Sequence, residues 1–87
     1  MLKGKTSSGF EFELEDEALD DYELLEMMAK IDKGENGLIV DMVEKLLGEE
    51  QRDRLKEHVR TEKGRVAASS LLKEVMEIFQ YDDSGKN

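Results

Sequence analysis

With 87 residues, 22 acids against 13 bases and a net charge of −9, the chain suffices for one small domain. It offers no basic face to displace counterions from a nucleic acid or to hold an anionic membrane, since its one basic run, Arg52 to Arg60, contains Asp53 and Glu57. No cysteine is present, which excludes a disulfide framework, a thiolate nucleophile and a Cys-ligated zinc, and fits a reducing cytoplasm.

Leu2 to Leu14 has period two. Leu2, Gly4 and Thr6 alternate with Lys3 and Lys5, and Phe10, Phe12 and Leu14 alternate with Glu11 and Glu13, which is the pattern of half-buried strands. Thr6-Ser7-Ser8-Gly9 supplies turn chemistry, so the spacing predicts a hairpin with lysines facing glutamates on the wet side and Phe10, Phe12 and Leu14 facing inward. Such a hairpin is marginal alone and should dock on helices.

Acids at Glu15, Asp16, Glu17, Asp20 and Asp21 then precede a helix, as its N-terminal dipole favours, with Asp16 or Asp20 as the expected cap. In this helix Tyr22, Leu24, Leu25, Met27, Met28, Ala29 and Ile31 cover far more than a third of the circumference, while Glu23, Glu26, Lys30 and Lys33 share a narrow polar strip. A helix of that kind needs cover on two sides. It is the expected centre of the fold, ending at Gly34.

Asn36 is the expected cap of a second helix, whose Leu38, Ile39, Met42, Val43, Leu46 and Leu47 form a wide apolar face and which Gly48 stops. Glu49 and Glu50 open a third to about Glu62, with a thin apolar stripe of Leu55 and Val59 that marks it as peripheral. A fourth begins near Ala67 to Ser70 and presents Ala68, Leu71, Leu72, Val75, Met76, Ile78 and Phe79. The expected fold is mainly α: about four short helices packed around a central helix 20–33, with a small N-terminal β-hairpin over 2–14. Residues 1–80 make a single domain and 81–87 a mobile tail. The apolar run Leu38-Ile39-Val40 is far too short to span a bilayer, and the N-terminus has no signal-peptide core.

Asp32 to Val43 follows the start of an EF-hand loop, with Asp32 at position one, Asn36 at five and Gly37 at six. Position three is Gly34 and position twelve is Val43, so two ligands are missing, and Glu44 is one residue late. The acids at 15–21 read as a solvated helix start. No metal site and no cofactor is expected. His58 is the single histidine, and Arg54, Leu55, Thr61 and Glu62 at its helical spacings make no triad, so no catalytic residue is assigned. Ser69-Ser70-Leu71 lies too late in the chain, and lacks the preceding Asp, for the prosthetic-group serine of an acyl carrier protein. Methionine is an adaptable filler of cores and of promiscuous binding surfaces, and Met27, Met28, Met42 and Met76 all fall on apolar faces. Core filling is the ordinary use. The surplus apolar surface suggests a groove for a partner helix or for self-association, lined by Met27, Met28, Ile31, Met42, Met76 and Phe79.

The succession GFEFEL, EALDDYELLEMMAKIDKGENG, LLGEEQRDRLKEHVR and EKGRVAASSLLKEVMEIF covers nearly the whole chain. It resembles the small tail assembly chaperones of long-tailed bacteriophages and prophages in its acidic LDDxELLE helix, its LLG-E-Q…L junction and its Gly-Arg-Val step into a last helix. The resemblance implies a protein without enzymatic activity that binds the tape-measure protein, with the major tail protein a second candidate partner. It implies action in the bacterial cytoplasm and departure before the virion is complete. Such chaperones are often made in two lengths by a programmed minus-one frameshift. Gly85-Lys86-Asn87 is encodable by a slippery heptamer xxA-AAA-AAC, although the same residues read equally as a plain polar end. The rival reading is a calcium-responsive or degenerate EF-hand-like helix-loop-helix interaction protein.

Overall fold

A computed structural model describes residues 1–81. The period-two segments form strands β1 (Leu2–Lys5) and β2 (Glu11–Leu14), paired antiparallel with Lys3 opposite Glu13, Gly4 opposite Phe12 and Lys5 opposite Glu11. On the outer face Lys3 lies 3.7 Å from Glu13 and Lys5 3.9 Å from Glu11. On the inner face Phe10, Phe12 and Leu14 are buried. Gly4 is required by packing: a Cβ there would stand 2.6 Å from Phe12 Cζ and 2.8 Å from Tyr81 Cζ. Tyr81, placed at the start of the expected tail, is half-buried and meets the Phe12 ring edge-on at 5.3 Å. The rest of that tail, including Gly85-Lys86-Asn87, lies outside the described residues.

Helix α1 spans Tyr22–Asp32. Its cap is Asp21, neither Asp16 nor Asp20: the Asp21 carboxylate accepts from the Glu23 and Leu24 amides at 2.8 and 3.4 Å. Asp16 is instead 2.5 Å from the N-terminal ammonium, and the Asp20 amide closes a turn onto the Glu17 carbonyl. Gly34, at φ +104°, leads the chain out of α1 with its amide on the Ile31 carbonyl.

Helix α2 spans Leu38–His58 and α3 spans Ala68–Phe79. Among the described residues there are thus three helices, not about four. Gly48, read from sequence as a stop, has φ +80° and ψ 168°, a conformation outside any α-helix, so α2 is two helical segments that meet at a sharp kink there. Gln51 bridges the kink. Its Nε2 donates to the Leu47 carbonyl at 2.9 Å, stitching the turns on either side of the glycine, and Leu46, Leu47 and Leu55 enter the same core. The other boundaries shift as well. Gly37, not Asn36, precedes α2 and carries no side-chain cap, and α2 ends at His58 instead of near Glu62. Arg60 and Val66 then form an isolated antiparallel bridge around a turn closed by the Gly64 amide on the Thr61 carbonyl.

The centre also moves. β2, α1 and α3 each pack against α2, which buries Met42, Val43, Leu46, Leu47 and Leu55. The eleven-residue α1 buries only Leu24, Met28 and Ile31. The segment expected to be peripheral supplies Leu55, which is fully buried. The two segments of α2 are the physical reason: with 21 residues between them, one reaches α1 and the other the hairpin. Among the described residues no helix is long and apolar enough to cross a membrane.

Candidate functional site

At about 100° per residue, the apolar arc of α1 runs from Met27 through Ile31, Leu24, Met28, Leu25 and Ala29 to Tyr22, about 220° in all. Only its middle is buried. On one flank Met27 is half-buried and lines a dent of about 280 Å³ with Glu23, Glu26, Lys30, Leu38 and Lys45. On the other, Tyr22 is 73% exposed, Leu25 55% exposed, and Ala29 exposed. These three, spaced i, i+3 and i+7, form a continuous strip about 10 Å long. Val40, on the first turn of α2, is the other large apolar side chain so exposed among the described residues of the helices.

The six residues expected to bind a partner are placed differently. Met28, Ile31 and Met42 are buried in the core, Met28 and Ile31 with under a tenth of their surface in water and Met42 with none. Met27, Met76 and Phe79 are half-buried and pack against that core, Met27 on α1 and the other two on α3. Tyr22, Leu25 and Val40 were not among the expected six. The sequence signal for the first two was the excess width of the arc, but only the position of α2 decides which flank stays bare.

A second constellation joins the hairpin turn to the helices through three consecutive hydroxyls. Thr6, buried, donates to the buried Glu74 carboxylate at 2.6 Å and accepts the Phe10 amide at 3.1 Å. The Ser7 amide and hydroxyl donate to the two Glu77 oxygens at 3.0 and 2.9 Å, which holds the Glu77 carboxyl below the usual glutamate range. Ser8 Oγ lies 2.9 Å from His58 Nε2, and the His58 ring is 5.4 Å from that of Phe10. Helical neighbours of His58 are therefore not its partners; the hairpin, fifty residues earlier, supplies one. Among the described residues no carboxylate hydrogen-bonds His58, so the pair lacks the orienting group of a triad. Its evident role is to clamp the turn between the end of α2 and α3.

A third feature is an open groove of about 1060 Å³ between the hairpin and the kink, with Lys3, Lys5, Glu11, Glu13, Glu49 and Glu50 among its walls. Its walls carry charges of both signs. The outer edge of β2 is already occupied there: Gln51 accepts the Glu13 amide at 2.6 Å and donates to the Glu13 carbonyl at 2.7 Å, while Arg54 reaches the Glu11 carbonyl at 3.4 Å. An amide side chain thus imitates a neighbouring strand and caps an edge that would otherwise invite pairing.

At the loop that resembles an EF-hand, Val43 is buried in the core, so the position of the bidentate carboxylate belongs to packing. The acids at 15–21 are used singly, Asp16 on the N-terminus and Asp21 as the α1 cap and 3.6 Å from Lys45. Among the described residues no three His, Cys, Asp or Glu side chains gather as a metal site. At the end of α2, Arg60 donates twice to one Glu57 oxygen and lowers the pKa of that carboxyl. Both side chains are exposed, and the pair tethers the following turn. No protein-family model, curated protein or solved structure matches the chain.

Proposed function

We propose that this chain is a tail assembly chaperone of a long-tailed phage or prophage, which holds the helices of the tape-measure protein in solution before the tail tube forms around them. The observation that carries the reading is the exposed Tyr22-Leu25-Ala29 strip on an otherwise strongly acidic protein. A helix presented with an apolar strip accepts the apolar face of another helix, and a net charge of −9 keeps the resulting complex soluble. The acidic LDDxELLE pattern that carries the family resemblance ends on this strip, at Asp21 to Glu26. A two-turn contact is small, which suits a partner that must leave before the particle is finished.

On this reading the protein acts by binding and not by catalysis, works in the bacterial cytoplasm, and is absent from the completed virion. The tape-measure protein is the principal partner and the major tail protein the second. Coexpression with the tape-measure protein of the same phage tests it. The expected result is a soluble complex recovered on size exclusion; an unchanged insoluble fraction with no complex refutes the proposal.

A further inference from the structure

The charge around the α1 strip selects what can lie on it. Residues 15–35 hold nine acids and two bases, so most of the chain's excess negative charge sits on and beside α1. Part of it is neutralised within the fold: Lys45 lies 3.6 Å from Asp21 and 3.5 Å from Glu23, on the flank away from the strip. The carboxylates bordering the strip differ. Glu26 lies about 40° from Tyr22 around the helix, between the strip and the dent that it lines with Lys30 and Lys45, and Asp32 lies about 20° from Leu25. Both are exposed and neither has an ion-pair partner among the described residues.

We infer that the Tyr22-Leu25-Ala29 strip is the docking site for a basic amphipathic helix, whose apolar ridge lies along α1 and whose lysines or arginines meet Glu26, Asp32 and the acids before the cap. The inference deepens the chaperone reading and rests on it for the biological setting; the chemistry of the partner is argued from the strip and its border. A second copy of this chain is the wrong occupant, because it would set two stretches of nine acids and two bases face to face. An acidic helix is excluded for the same reason. Opposite charge adds orientation and speed of encounter, while the apolar strip supplies the contact itself.

The experiment uses the full chain, ¹⁵N-labelled, and two synthetic peptides of about 18 residues, five helical turns. One carries Leu and Ala on one face and Lys on the other; its counterpart has Glu in place of every Lys. The basic peptide should shift the amides of Tyr22, Leu25, Ala29 and their neighbours, the acidic one should not, and binding should weaken several-fold between low and high salt. Leu25→Glu should weaken the basic peptide at least about tenfold with an unchanged helical CD spectrum, because the side chain is mostly in water. Val40→Glu, at a more exposed position on another helix, should have no effect. Equal binding of both peptides, shifts centred on the hairpin groove, or wild-type affinity in Leu25→Glu overturns the inference. So does concentration-dependent dimerisation that Leu25→Glu abolishes, since the strip is then covered by a second copy. The two readings fail separately. Peptide binding on the strip without capture of the tape-measure protein leaves the docking site and removes the family assignment. Capture that survives Leu25→Glu leaves the chaperone and removes the site.

Discussion

Gln51 holds two parts of the fold together, so its replacement by alanine is the most exacting test of the architecture. The side chain makes three short hydrogen bonds: Nε2 to the Glu13 carbonyl at 2.7 Å, Nε2 to the Leu47 carbonyl at 2.9 Å, and the Glu13 amide to Oε1 at 2.6 Å. The fourth contact, from Arg54 at 3.5 Å, is too long to weigh. Each of the three contributes about 0.5–1.5 kcal/mol net. Gln51 is half-buried, so water replaces part of what is lost, and alanine returns a few tenths of a kcal/mol in helix propensity. Gln51→Ala should therefore lose about 1–3 kcal/mol, most of it by releasing β2 from the α2 kink. Gln51→Glu should lose more, because a carboxylate faces two carbonyls where an amide donated to both. Urea unfolding followed by helical CD measures the stability, and hydrogen exchange of the Glu13 amide gives the local readout. Loss of less than about 0.5 kcal/mol, with Glu13 exchange unchanged, would refute the bracket.

Gly48→Ala adds a Cβ that meets nothing within 4 Å, so its effect is purely conformational: at φ +80° and ψ 168° it should cost about 1–3 kcal/mol, and a gain in urea midpoint instead would mean that the kink is dispensable. Gly4→Ala is the opposite case, with ordinary backbone but a methyl forced against Phe12 and Tyr81; about 1–3 kcal/mol should be lost, and Tyr81→Ala in the same chain should recover only part, since Phe12 stays in place. The Ser7 bonds that lower the Glu77 carboxyl in the folded state stabilise the fold above the unfolded glutamate pKa, and that contribution disappears as pH falls through the lower folded value. The urea midpoints of the native chain and of Glu77→Gln should accordingly differ at about pH 7 and converge as the pH falls through the lowered folded-state value, below which the carboxyl is protonated in both states. A difference that is the same above and below that value shows that the loop contact does not depend on the charge.

Local chemistry settled much of this protein from sequence. The alternation at 2–14 places lysine against glutamate and turns Phe10, Phe12 and Leu14 inward, because a strand has only two faces. Glycine at 34 marks the exit from α1 because the backbone there takes a positive φ. What sequence left open were the questions answered by a second element. Gly48 marks a real break in helical backbone, but Gln51, which bridges that kink to β2, is polar enough to pass for a surface residue until β2 is beside it. Leu55 belongs to a thin stripe and is nonetheless fully buried. The hydroxyls of Thr6, Ser7 and Ser8 read as turn chemistry, while their partners Glu74, Glu77 and His58 lie at least fifty residues away. The same division governs the candidate site. The sequence shows that α1 is apolar over too wide an arc for one neighbour, since that follows from the helical period alone. It cannot show which part α2 covers. Tertiary packing takes Met28 and Ile31 into the core and leaves Tyr22, Leu25 and Ala29 in water, because one helix shields one side of another and no other described element is laid over the rest of the arc.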